Sequence, residues 1–298
     1  MPTFSAPDGT RLAYHVSGDG PPLICLPGGP MQDSVYLGGL GGLTAHRTLI
    51  RLDLRGTGRS ATPDDPASYR CDRLVDDVEA LREELGLDRV DLLGHSAGAN
   101  LAVLYTARHR DRVARLALVT PSVYAVGVEV TAEDRLGTAR LRRDEPWFTP
   151  AYTALEAITA GRAAPGDWEA VAPFWFARWD DEAKAVREAE AKQRNDDAAA
   201  VYGSEGAFDP AATRAALAGF VAPVLVLAGE VDVAAPPRAV AEYARLFPNA
   251  EPVVQPGAAH FPWLDDAGRF VTAFLERGLE GKRAEGVPGG QQSRNSGD

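Results

Sequence analysis

The sequence predicts an α/β fold: a mostly parallel central sheet with helices on both faces, interrupted by an inserted segment that contains no strands. Three observations carry this expectation. Short apolar runs of strand character alternate with stretches whose apolar residues recur at helical spacing, and the connections between them are short. One strand-to-helix junction reads Gly94-His95-Ser96-Ala97-Gly98. The strand pattern then vanishes from about residue 122 to 220 and resumes afterwards.

Asp8-Gly9 marks a hairpin, and Leu12, Tyr14 and Val16 after it alternate with polar residues, as in a half-buried edge strand. Leu23-Ile24-Cys25-Leu26 is fully apolar, as an interior parallel strand is. It stops at Pro27-Gly28-Gly29-Pro30, where the backbone can turn sharply and present N–H groups. A strand over 48–53 ends in Asp53-Leu54-Arg55-Gly56-Thr57-Gly58-Arg59-Ser60. Between Asp72 and Leu85 the residues Leu74, Val78, Leu81 and Leu85 fall at helical spacing, and Gly86 suits a C-terminal cap. An apolar strand from Val90 runs into the Ser96 junction, and a helix to His109 follows; Val113 to Val119 is a further strand, closed by Thr120-Pro121.

The segment after it is rich in alanine, charge and tryptophan. Asp180–Lys184, Glu188–Lys192 and Glu190–Arg194 are i,i+4 pairs that predict a helix with a solvated face. Strand character returns at Pro223–Gly229, before Glu230-Val231-Asp232, and a helix starts at Pro236-Pro237. A last strand, Pro252-Val253-Val254, leads through Pro256-Gly257-Ala258-Ala259 to His260, and a helix from about Asp265 to Leu279 closes the fold. The expected division is thus a first core part over 1–121, the insertion over 122–220, a second core part over 221–280 and a disordered tail over 281–298.

The 298 residues are 45% hydrophobic and 24% charged, which suits a globular chain with a sizeable core. Lys plus Arg number 31 against 42 Asp plus Glu, a net −11 that argues against a nucleic-acid or anionic-membrane partner. The N-terminus shows no basic-then-apolar leader, and no apolar run approaches the ~20 residues of a membrane span. Two cysteines offer neither a disulfide framework nor a zinc spacing; Cys25 reads as inert core and Cys71 as partly exposed. The expectation is a cytoplasmic protein with a small-molecule substrate, no metal and no cofactor, and with room for a homo-oligomer.

The Gly94–Gly98 stretch is a nucleophile elbow, a turn too tight for bulk beside the serine, which lifts the Ser96 hydroxyl over the end of the sheet. Serine needs a base to take its proton, and the base needs an acid to orient it. Asp232 follows one apolar strand and His260 the next, so both belong at the same sheet edge as Ser96. Glu230 is the alternative acid; His95 lies inside the elbow and points away from Ser96, while His15, His46 and His109 sit on an edge strand and at helix ends. The oxyanion donors are expected to be the Ala97 N–H, at a helix N-terminus, and the Gly29 N–H. Trp147, Phe148, Phe174, Trp175 and Trp179 either form the core of the insertion or line an apolar pocket above Ser96.

With these residues in view, the chain resembles the α/β-hydrolase superfamily across nearly all of residues 4–280. The match rests on the Gly94–Gly98 elbow, on Asp232 with Pro236 following, and on His260. The resemblance implies an α/β-hydrolase fold with a helical cap over the inserted segment. Pro27-Gly28-Gly29-Pro30 and the 53–60 stretch are similar to the proline iminopeptidase branch, where they read His-Gly-Gly-Pro-Gly and Asp-Gln-Arg-Gly-x-Gly-x-Ser. Pro27, Met31 and Leu54 depart from that pattern, and the elbow is not the Gly-Gly-Ser-Trp-Gly of those peptidases. That branch holds a substrate amine with cap glutamates; Glu156, Glu169 and Glu205 are available, and no motif selects among them. The expected function is a serine hydrolase cleaving an ester or amide of a small to medium apolar substrate. Aminopeptidase, C–C bond hydrolase or acyl-releasing activity, and a non-catalytic ligand receptor are the alternatives.

Overall fold

The computed structural model describes residues 1–278; the expected 281–298 tail lies outside the described residues. Eight strands form one sheet: β1 (Thr3–Ser5), β2 (Arg11–Ser17), β3 (Pro22–Leu26), β4 (Thr48–Asp53), β5 (Val90–His95), β6 (Val113–Val119), β7 (Val224–Gly229) and β8 (Ala250–Gln255). Their spatial order is β1-β2-β4-β3-β5-β6-β7-β8. β1/β2 and β2/β4 pair antiparallel, and every later pair is parallel. β2 is therefore not the edge strand its alternation suggests, because the three-residue β1 covers it.

The helices are α1 (Cys71–Glu84), α2 (Gly98–Arg108), α3 (Ala132–Ala139), α4 (Phe148–Thr159), α5 (Asp167–Ala170), α6 (Asp181–Gln193), α7 (Asp196–Tyr202), α8 (Pro210–Leu217), α9 (Pro237–Ala244), α10 (Pro262–Asp265) and α11 (Ala267–Gly278). Strand residues alternate between two cores, as a period of two requires. Ile24, Leu26, Leu92, Leu116 and Leu118 face a core with α1, α2, α8 and α9. Leu23, Cys25, Leu93, Ala117 and Leu225 face the other, with Phe270 and Phe274 of α11. The insertion between β6 and β7 has a small core of its own around Leu155, Val171 and Phe174. Among the described residues no helix is long and apolar enough to cross a membrane.

Both cysteines are fully buried. Burial pushes the Cys25 thiol up to about 12 and raises Cys71 as well. The expectation of a partly exposed Cys71 is corrected, because its position at the first turn of α1 packs into the sheet core.

The loop after β4 is fixed by buried charge. Asp77 accepts hydrogen bonds from both Arg55 Nε (2.8 Å) and an Arg55 terminal nitrogen, and the two side chains are 0% and 3% exposed. Removing Arg55 leaves the fully buried Asp77 carboxylate without its cation, a loss of about 3–5 kcal/mol, whereas Arg55 without Asp77 keeps its ion pair with Asp8 at 2.6 Å. Ser34 Oγ (2.6 Å) and the Arg59 N–H (3.0 Å) both donate to Asp53, which ties this loop to the turn that follows β3.

α1 and α2 are clamped through Glu79, which accepts from Arg82 (2.7 and 2.9 Å) and from the Tyr105 hydroxyl (2.7 Å). The Arg82 hydrogen bond is the main reason the Glu79 carboxyl drops from 4.5 to about 2. A carboxylate held below its unfolded value adds stability above that value and loses it on acidification. Glu79→Gln is therefore expected to lower the melting temperature at pH 7, with the deficit shrinking as pH falls from 4.5 towards 2. A deficit that is constant over this range assigns the effect to packing.

Candidate active site

The elbow is built by strain and close approach. Ser96 has φ +52°, a left-handed conformation rare for a residue with a side chain, and its N–H donates to the Val119 carbonyl at 3.0 Å. A Cβ at Gly98 would lie 2.3 Å from the Leu26 carbonyl oxygen, so only glycine lets α2 start this close to β3. Asp232 and His260 lie on the loops after β7 and β8, and both parallel strands end at the same edge as β5.

The structure brings the three side chains together. His260 Nδ1 lies 2.8 Å from Asp232 Oδ2, and His260 Nε2 lies 2.9 Å from Ser96 Oγ. Asp232 is fully buried, and its other oxygen accepts the Ala234 N–H at 2.8 Å. A carboxylate only accepts, so the proton of neutral His260 belongs on Nδ1 and the Nε2 lone pair faces the serine hydroxyl. Glu230 is turned to the Gly257 N–H, at 2.7 Å.

The turn at 28–29 packs directly on Ser96: a Cβ at Gly28 would lie 2.8 Å from the Ser96 Cβ and 3.4 Å from the Ala97 nitrogen. The Gly28 N–H is already spent on the Tyr36 hydroxyl, at 2.7 Å. Among the described residues the Gly29 and Ala97 N–H groups have no protein acceptor. Backbone of the insertion latches onto this turn, through Asp33 N–H to Gln193 O (3.0 Å) and Asn195 N–H to Met31 O (3.0 Å).

A cavity of about 500 Å³ opens above Ser96, bounded by Gly29, His260 and Phe261 from the core and by Trp175 from the insertion. Trp175 is the expected aromatic found in its wall, with its ring 5.0 Å from that of His260. Trp147, Phe148, Phe174 and Trp179 do not line it, a correction with a packing cause. Trp147 and Phe174 meet edge to face at 5.0 Å, Phe148 stacks on Tyr152 at 4.9 Å, and Trp179 packs on Phe176 at 5.7 Å. Trp147, Phe148 and Phe174 are used up in giving the insertion a core, and Trp179 with Phe176 packs on the sheet core beside Phe261.

Further wall residues, which the sequence does not reveal as such, are Gln32 and His95 from the core and Trp168, Val171, Arg187, Glu190, Ala191, Arg194 and Asp196 from the insertion. Arg187, Glu190 and Ala191 belong to α6 and Arg194 follows its end; Asp180, Lys184, Glu188 and Lys192 are exposed as expected, whereas Glu190 and Arg194 of the third pair face the cavity above Ser96. The expected ion pairs shift as well. Asp180 caps the helix, Lys184 pairs with Asp181 (2.9 Å), Arg187 lies 3.7 Å from Glu190, and Arg194 pairs with Asp196 (3.2 Å). Desolvation raises the Glu190 carboxyl. Of Glu156, Glu169 and Glu205, none is in the wall, and Glu169 pairs with Arg187 at the surface (3.4 Å).

Among the described residues one cluster has metal-ligand chemistry: His15, Asp33 and Asp53 offer atoms within 4.8 Å of one another. The Asp53 oxygens are already taken by Ser34, by the Arg59 N–H and by His15 Nε2 at 3.0 Å, so these contacts account for the cluster as a loop anchor.

A model of the alpha/beta hydrolase fold matches residues 21–267. Over 112 residues the chain is 36% identical to a proline iminopeptidase of Heyndrickxia coagulans, covering 38% of this chain and 39% of that one. It is 39% identical over 106 residues to a human (lyso)-N-acylphosphatidylethanolamine lipase, covering 35% of this chain and 31% of that one. The chain thus spans about a third to two fifths of the length of these curated relatives. A thermophilic esterase of Thermogutta terrifontis superimposes with TM-score 0.66 at 24% identity, over 93% of this chain and 97% of that one, and shares its fold.

Proposed function

The chain belongs to the alpha/beta hydrolase fold family, and on that premise we propose that it is a cofactor-independent serine hydrolase. It cleaves an ester or amide of a small to medium, largely apolar substrate through an acyl-enzyme on Ser96. The observation that carries this reading is the hydrogen-bonded run from Ser96 Oγ through His260 to Asp232. His260 Nε2 takes the hydroxyl proton as Oγ attacks the acyl carbon, and Asp232 stabilises the imidazolium. The Gly29 and Ala97 N–H groups receive the developing oxyanion. His260 then passes its proton to the leaving oxygen or nitrogen. Water, losing a proton to the same Nε2, releases the acid. The insertion acts as a cap, with Trp175 and Phe261 offering the acyl group an apolar wall.

A second reading, aminopeptidase, has one observation in its favour: Glu190 in the pocket wall. Its charge is met by Arg187, and Asp196 by Arg194, so the wall carries no net negative charge to balance the desolvation of a free ammonium. A panel of 4-nitrophenyl acyl esters against prolyl and alanyl 4-nitroanilides separates the two. After correction for uncatalysed rates, kcat/KM is expected to favour the uncharged esters. A free-amine anilide that beats its N-acetylated version by about tenfold, ~1.4 kcal/mol, restores the aminopeptidase.

A further inference from the structure

His95, beside the nucleophile in sequence, is not used by the chemistry above, yet its ring is 2% exposed and hydrogen-bonded at both nitrogens. Its Nε2 lies 3.0 Å from the backbone carbonyl of His260, and its Nδ1 lies 2.6 Å from the Tyr36 hydroxyl. That hydroxyl also accepts the Gly28 N–H at 2.7 Å.

The polarity of this run is determined. A carbonyl only accepts, so His95 carries its proton on Nε2. The neutral ring then accepts at Nδ1, which makes the Tyr36 hydroxyl the donor there and leaves its lone pair for Gly28. Each link has one permitted direction, and all of them agree. The ring is enclosed by Tyr36, Phe261 and Trp263, with centroids 5.6, 5.4 and 4.8 Å away, and burial holds its pKa well below the usual histidine value.

We propose that Tyr36 and His95 form a positioning relay that sets the oxyanion turn and the backbone of the general base against the nucleophile. One end of the run is Gly28, whose neighbour Gly29 offers the oxyanion donor. The other end is the carbonyl of His260, which Thr120 Oγ1 also holds at 3.0 Å. The middle is the peptide neighbour of Ser96. Nucleophile, base and oxyanion donor are thereby referenced to one rigid point, which matters because a misplacement of about 1 Å can cost on the order of 10² in rate. Neither Tyr36 nor His95 exchanges a proton with substrate in this scheme.

The inference rests on the acyl-enzyme reading, and its test separates the two. Wild type, Tyr36→Phe, His95→Gln and His95→Leu are compared for steady-state kinetics on a 4-nitrophenyl ester and for labelling by a fluorophosphonate, at a temperature where each is folded. Tyr36→Phe keeps the ring and removes the hydroxyl; its kcat is expected to fall about 10- to 100-fold with KM little changed. His95→Leu, if folded, is expected to match that loss. Glutamine can accept through Oε1 and donate through Nε2 across the spacing of the two imidazole nitrogens, so His95→Gln is expected to recover most of kcat. Wild-type labelling with an unchanged kcat in Tyr36→Phe overturns the relay alone. So does a His95→Gln loss equal to that of His95→Leu, or a Tyr36→Phe loss that appears wholly in KM. A wild-type protein that hydrolyses the ester without labelling at Ser96 removes the acyl-enzyme reading, and the relay with it.

Discussion

Ser96→Ala is expected to leave the fold in place and to lower turnover of a reactive ester on the order of 10⁶-fold, as when a triad serine is removed elsewhere. The local reason for an intact fold is that Ser96 already carries a Cβ in its left-handed backbone, so alanine adds no new clash. The hydroxyl has one described side-chain contact, His260 Nε2, so little packing is lost. In the proposed mechanism the residual rate over water comes from binding and from the Gly29 and Ala97 N–H groups. Steady-state hydrolysis beside a thermal melt checks both halves; near-wild-type turnover in a folded Ser96→Ala protein places the nucleophile elsewhere.

Asp232→Asn is expected to cost on the order of 10⁴ in kcat, and the hydrogen bonds give the cause. The Ala234 N–H donates to Asp232 Oδ1, so an asparagine keeps its oxygen there and turns its NH2 towards His260 Nδ1. Nδ1 must then accept, which moves the imidazole proton to Nε2. That nitrogen faces the serine hydroxyl and can no longer take its proton. Glu230→Gln, which disturbs only the Gly257 N–H contact, is expected to be mild. The reverse ranking, a severe Glu230→Gln and a mild Asp232→Asn, reassigns the acid.

The strands, the elbow and the three residues at the sheet edge were legible because each has a local cause. Leu23–Leu26 is a short apolar run bounded by Pro21-Pro22 and Pro27-Gly28, which suits an interior strand. The elbow glycines answer to atoms within a few ångströms, and Asp232 and His260 follow strands that run parallel to β5. The pocket was not legible, since what lines it depends on how the insertion lies over the sheet. The α6 sequence Asp181–Gln193 is polar enough to read as a solvated face, and periodicity does not say which body that face meets. Conversely, the sequence leaves Trp147 and Phe174 open between insertion core and pocket wall, and the structure uses them to bury the insertion's own apolar surface. The contacts of His95 are not legible for a related reason. The elbow motif leaves that position free, and its value here depends on Tyr36, 59 residues earlier in the chain.

The most direct test of the acyl-enzyme on Ser96 is peptide mass mapping after treatment with a fluorophosphonate. The account predicts a single adduct, on the peptide containing Ser96, formed in parallel with loss of ester hydrolysis and absent from Ser96→Ala. An adduct on another residue, or full hydrolysis by a protein that takes up none, contradicts it.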